Sequence, residues 1–115
     1  VLYPCDAVST WHLVSAMAEY NQGISYLRTT RMATPVIYDV FEEFPIGGCK
    51  VIHQSSQDKM CLIGAGITLH NALSAYNTLQ LEGIYVSVID LYSIKPLDVD
   101  KVVSIARASG NKIVT

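Results

Sequence analysis

The sequence is poor in charge: only 16% of its 115 residues are Asp, Glu, Lys or Arg, while 50% are hydrophobic. That balance excludes an intrinsically disordered segment, because there is enough apolar surface to build a core. A basic excess is also missing. The formal net charge is −2 with a pI near 5.8, and no cluster of Lys and Arg marks a footprint for nucleic acid or a membrane surface. No apolar run approaches the ~20 residues of a membrane span, and no basic stretch leads into an apolar one at the N-terminus. Cys5, Cys49 and Cys61 contain no C-x-x-C pair, so they describe neither a disulfide framework nor a zinc site, and buried thiols are expected. His12, His53 and His70 are scattered without metal-ligand spacing. A P-loop and a Ser/His/Asp order are absent as well. The expectation is a soluble protein of the reducing cytoplasm, with no nucleic acid or membrane partner, whose residues carry no bond-making chemistry by themselves.

What is present is a run of alternating elements. A chain of this length holds one modest core or parts of two domains. "VLYP" reads as a short strand. The next stretch, to Gly23, reads as a helix capped by Asp6 or Ser9, with Val8, Trp11, Leu13, Val14, Met17 and Ala18 on its apolar face. "ISYLRT" (24–29) reads as a second strand, which makes a β-α-β run with parallel strands. From Arg31 to Gly48, prolines and a Gly pair interrupt any period, as in a linker. After it come a strand at "CKVIHQ", a polar turn, a buried strand at "MCLIGAG" and a helix stopped by Gly83. Another buried strand follows at "IYVSVID", then a helix capped by Asp98, and "KIVT" begins one more strand. The predicted fold is α/β, an open and mostly parallel sheet with helices on both faces, preceded by the last β-α-β of another α/β domain. The absence of an initiator Met and the β-rich final residues suggest a piece of a longer polypeptide.

Two motifs invite a functional reading. "GAGITL" (64–69) lies at a strand-to-helix turn, and Asp90 ends the next strand, where a dinucleotide fingerprint has its ribose ligand, but Leu69 stands where that fingerprint has its third glycine. Tight turn geometry is preferred there over nucleotide binding. "RTTR" (28–31) ends a predicted parallel strand, the edge where open α/β sheets place ligands. Its guanidiniums and hydroxyls suit a phosphate or carboxylate. The plainer alternative is a salt bridge from these arginines to Glu42 and Glu43 of the nearby "FEEF".

In "YPCDAVST", "YLRTTR", "IGAGITLHNAL" and "DLYSIKPLD", in that order over nearly the whole chain, the sequence resembles the transketolase family of thiamine-diphosphate enzymes, most of all its shorter, animal- and archaeal-like members. The last motif is shared loosely with deoxyxylulose phosphate synthases and more distantly with 2-oxo acid dehydrogenase beta subunits. The resemblance implies that residues 1–34 are the tail of the pyrimidine-binding domain, 35–48 a linker, and 49–115 a truncated C-terminal domain. It also implies a full enzyme of the pentose phosphate pathway, a cytoplasmic homodimer. That enzyme transfers a two-carbon ketol unit between sugar phosphates with thiamine diphosphate and Mg2+.

By the same resemblance, Arg31 contacts the substrate phosphate, and Arg28 is the weaker candidate. No catalytic, cofactor or metal residue is expected in this chain, since the family's Gly-Asp-Gly…Asn motif and its activating glutamate are not among these residues. Met32, Ala33 and Thr34 replace the Pro-Glu-Asn of the animal-like proteins, so the exit of the arginine loop is expected to differ. Cys5 and Ala7 stand at Ser and Gly positions. A non-catalytic module for oligomerisation or partner docking is the rival reading.

Overall fold

A computed structural model describes all 115 residues. In chain order the elements are α1 (Ala7–Glu19), β1 (Lys50–His53), β2 (Cys61–Gly64), α2 (Ile67–Leu81), β3 (Ser87–Asp90), α3 (Val99–Ala108) and β4 (Ile113–Val114). The four strands form one sheet in the order β1-β3-β2-β4. β2 runs parallel to both β3 and β4, with Leu62 opposite Val88 and Gly64 opposite Asp90, while β1 is antiparallel to β3 and carries an irregularity between Val51 and His53.

Side chains alternate across a strand, so a strand that is apolar throughout needs cover on both sides. Leu62 and Val88 pack in one cluster with Leu69 of α2. Their neighbours Cys61 and Ile89 pack in another with Val102, Ile105 and Ala106 of α3. One helix therefore covers each face, and the expected mostly parallel α/β sheet is the observed one. The helix limits follow local chemistry. The Asp98 carboxylate accepts from the Lys101 N–H at the start of α3, and Gly83, in the left-handed region (φ +74), follows the end of α2. No helix is long and apolar enough to cross a membrane.

The N-terminal third departs from the expected β-α-β. Its strands shrink to single bridges, Leu2 with Leu27 in parallel and Leu2 with Ser93 in antiparallel sense. Ile24 and Tyr26 are exposed, and of that segment only Leu27 packs against the core. A strand covered on neither side has little to hold it. Residues 1–3 pair also with the loop after β3: the Tyr3 N–H donates to the Tyr92 carbonyl (2.8 Å), and the Ile94 N–H to that of Val1 (2.9 Å).

α1 ends at Glu19 rather than Gly23, with Tyr20 extended at its C-cap. Its buried side is narrower than the spacing suggests. Val8 and Leu13 are buried and Met17 packs against the same core, but Trp11, Val14 and Ala18 are exposed, because only one narrow side of the helix faces the rest of the chain.

Residues 35–48 form no helix or strand, yet they are tied down. Tyr38 and Phe44 are buried in the same cluster as Leu2, Leu13, Leu62 and Tyr92. Phe44 meets Tyr38 and Tyr92 edge-on, at centroid distances of 4.9 and 5.2 Å. His12 of α1 lies 3.0 Å from the Val40 carbonyl through Nε2.

Candidate functional site

Where neighbouring parallel strands send their helices to opposite faces, an open α/β sheet leaves a crevice beyond the strand ends. Here that point lies between Gly64 at the end of β2 and Asp90 at the end of β3. The crevice is filled from within. A Cβ on Gly66 (φ +55) would collide with the Tyr3 ring, and one on Gly64 would lie 2.6 Å from the Leu69 nitrogen. The Gly66 N–H donates to the Tyr3 carbonyl (3.1 Å). The glycines of "GAGITL" thus serve close backbone approach.

Asp90, at the end of β3, is 0% exposed. Its Oδ2 accepts from the Tyr38 hydroxyl at 2.6 Å and from the Cys5 thiol at 3.6 Å, while Oδ1 has no partner. Burial pushes its pKa up to about 6, against the opposing pull of the Tyr38 and Cys5 hydrogen bonds. Burial first, and the Asp90 charge second, drive the Tyr38 and Cys5 pKa values upward. All three cysteines are free and buried. Burial holds Cys61 above its usual range. It pushes Cys49 up to about 11 although the Lys101 charge pulls the other way. Thiols held protonated in this way are poor nucleophiles.

A second buried carboxylate, Asp6, is 3% exposed and fully used. Its Oδ1 accepts from the N–H (2.8 Å) and hydroxyl (2.7 Å) of Ser9, the capping box of α1. Its Oδ2 accepts from the N–H groups of Ile37 (2.9 Å) and Tyr38 (3.1 Å). Burial alone would raise its pKa, but the bonds from Ser9, Ile37 and Tyr38 together hold it below the usual carboxylate value. Sequence reasoning reached only the capping half of this role, because nothing local in "CDAVST" indicates a partner 31 residues away.

The sequence-predicted arginines lie apart from both carboxylates. Arg28 and Arg31 are exposed. The Arg28 guanidinium stands 5.3 Å from the Tyr3 ring centroid, and its backbone N–H donates to the Leu2 carbonyl (2.9 Å). Neither arginine pairs with "FEEF", which corrects the salt-bridge alternative. The one salt bridge joins Lys50 to Glu42. β1 brings Lys50 to residues 42–44, with its Nζ 4.5 Å from the Phe44 ring centroid, and Glu43 stays exposed. The residues around Arg31 line an open cleft of about 300 Å3, with Thr30, Met32 and Thr34 on one side and Cys5, Asp6 and Thr10 on the other.

No three His, Cys, Asp or Glu residues are grouped so as to hold a metal ion, and the oxygens of Asp6 already accept from protein donors. These residues do not fit a magnesium–diphosphate site.

The family profile described as "Transketolase, C-terminal domain" matches residues 49–115. The chain belongs to the transketolase family. It is 50% identical over all 115 residues to transketolase-like protein 2 of Mus musculus, and 41% identical to transketolase of Homo sapiens. In both cases it spans 18% of the relative's length. A solved structure described as "Split gene transketolase, inactive beta4 tetramer" is similar with a TM-score of 0.87 at 32% identity, over 95% of this chain and 36% of that one. The transketolase resemblance read from the four motifs is therefore correct, and so is the fold class it implied.

Proposed function

We propose that the chain is the C-terminal part of a transketolase that moves a two-carbon ketol unit between sugar phosphates. In this reading residues 1–34 are the tail of the pyrimidine-binding domain, 35–48 the linker, and 49–115 the C-terminal domain of a cytoplasmic homodimer. Thiamine diphosphate and Mg2+ would be held by residues outside this chain. Arg31 is the contact to the substrate phosphate, with Arg28 in a lesser role.

The observation that carries the assignment of Arg31 is its lack of any acidic partner, although Glu42 and Glu43 lie close in sequence. An exposed guanidinium left unpaired beside an open cleft is free to take an anion. Arg28 is less free, because its guanidinium lies near the Tyr3 ring.

The test is steady-state ketol transfer by the native protein and its Arg31→Ala variant, with phosphorylated and unphosphorylated donors. Loss of a charge-assisted pair costs roughly 1.5–3 kcal/mol, or about 10- to 150-fold in kcat/KM. That loss is expected with the phosphorylated donor only. Equal loss with both donors, or none, makes Arg31 scaffold.

A second reading, a non-catalytic module for oligomerisation or partner docking, draws support from the crevice between β2 and β3, where the Tyr3 ring packs against Gly66 and Asp90 is buried. The solved relative, an inactive tetramer, is compatible with it. Under this reading the native protein shows no ketol transfer with any donor.

A further inference from the structure

The segment that carries Arg31 is fastened at its ends and bare between them. At one end the Arg28 N–H donates to the Leu2 carbonyl (2.9 Å). At the other, the Ile37 and Tyr38 N–H groups donate to Asp6 Oδ2. From Thr29 to Val36 the single internal hydrogen bond runs from the Thr30 hydroxyl to the Met32 carbonyl, at 3.3 Å. The sequence adds nothing to stiffen this span, since Met32, Ala33 and Thr34 are flexible or small and Pro35 comes only at its end. Asp6 is itself held rigidly. It is buried, its other oxygen is bound to Ser9, and the Ser9 hydroxyl accepts from the Cys5 and Asp6 N–H groups in turn (3.2 and 3.1 Å).

We propose that Asp6 is a positioning residue for the arginine loop: by holding the Ile37 and Tyr38 amides it sets where residues 29–36 leave the linker, and so where Arg31 stands for a phosphate. The inference rests on the reading of Arg31 as the phosphate contact. Its physical basis is lever length. A span of eight residues anchored only at its ends explores much more space once one anchor is cut, and a loose guanidinium gives up part of its binding energy to ordering.

Asp6→Asn separates this role from capping. Asn is as good an N-cap as Asp, so one oxygen still serves Ser9. Its amide nitrogen then faces two N–H donors where Oδ2 accepted them. Ser9→Ala is the converse control, because it removes the hydroxyl bonds at the helix start and leaves Oδ2 with its linker donors. Both variants, with Arg31→Ala, are made in the native polypeptide and assayed with a phosphorylated and an unphosphorylated ketol donor, alongside hydrogen exchange of the backbone amides.

Asp6→Asn is expected to raise KM for the phosphorylated donor roughly 5- to 10-fold with kcat retained. It should leave the unphosphorylated donor unaffected and speed exchange at Ile37 and Tyr38. Ser9→Ala is expected to lower stability and leave the donor ratio unchanged. If Arg31→Ala discriminates between donors and Asp6→Asn does not, or if Asp6→Asn lowers kcat for both donors alike, the positioning role is overturned and Arg31 keeps its own. If Arg31→Ala does not discriminate, the phosphate reading falls and this inference with it.

Discussion

Asp6 and Asp90 are buried in neighbouring parts of one core, and Cys5 lies between them, adjacent to Asp6 in sequence and bonded to Asp90. Desolvation is the largest influence on both. Asp6 receives four hydrogen bonds, two on each oxygen, and its pKa falls. Asp90 receives bonds from Tyr38 and Cys5 on one oxygen, has nothing on the other, and its pKa rises. Burial does not decide the state of a carboxylate; the number and strength of its donors do. The two residues also join different things. Asp6 ties α1 to residues 37 and 38 through backbone amides, whereas Asp90 ties the sheet to Tyr38 through a single phenol.

Removing all four donors' acceptor at once gives the largest effect. Asp6→Ala loses the N-cap and strands the buried Tyr38 N–H and the part-buried Ile37 N–H, so urea unfolding is expected to show a loss of roughly 2–4 kcal/mol. A loss under about 1 kcal/mol, the size of an exposed cap alone, would break the contrast with Asp90.

The pH dependence sharpens it. Asp90 has a folded pKa of about 6 against an ordinary 3.8, so its ionisation opposes folding. The penalty is present in full above pH 6, shrinks as pH falls through 6, and is gone below 3.8. At about 1.4 kcal/mol per unit it amounts to about 3 kcal/mol. Asp90→Asn should be more stable than the native protein at pH 7, with the gap closing by pH 4. Asp6 has the opposite sign. Its contribution is intact above its ordinary pKa and is lost as pH falls through its lower folded value, so Asp6→Asn should narrow its deficit only below that range. A native protein with no gain in stability between pH 7 and 5 relative to Asp90→Asn would refute the assignment.

Tyr38→Phe removes the shorter of the two bonds to Asp90 and is expected to cost about 1–3 kcal/mol at pH 7. The cost should be smaller at pH 4, where the carboxyl is protonated. The smallest effect belongs to Arg31→Ala, within about 0.5 kcal/mol in unfolding, as for exposed residues without partners. A larger loss would mean that Arg31 is structural after all.

Much of the sheet was legible because its signals are local. "MCLIGAG" and "IYVSVID" are apolar on both faces and so declare buried parallel strands. Asp98 and Gly83 mark helix limits by the same chemistry in any fold. The failures fall where burial depends on a distant segment. Ile24 and Tyr26 have strand-like side chains but meet no covering layer, and Trp11 and Val14 lie at helical spacing on a side of α1 that nothing covers. Of the candidate site, "RTTR" was visible as a donor-rich stretch. The carboxylates were not visible in their roles: Asp6 reads as a cap and Asp90 as the end of a strand. For Asp90 the sequence offered the ribose-ligand position of a dinucleotide fingerprint, whereas the carboxylate accepts from Tyr38 and Cys5; its place at the close of an apolar run indicates burial but names no partner.

The sequence by itself determined the α/β class, the two central strands with a helix for each face and the glycine turn, which rest on periodicity and capping within a few residues, and the family, which rests on the order of four motifs along the chain. Only the tertiary structure decided that Tyr3 packs into the turn at the strand ends and that Tyr38 and Phe44 are part of the core. It also decided that two aspartates 84 positions apart, Asp6 and Asp90, take opposite protonation tendencies. Those outcomes depend on which donors reach a buried oxygen, and no stretch of neighbouring residues specifies that.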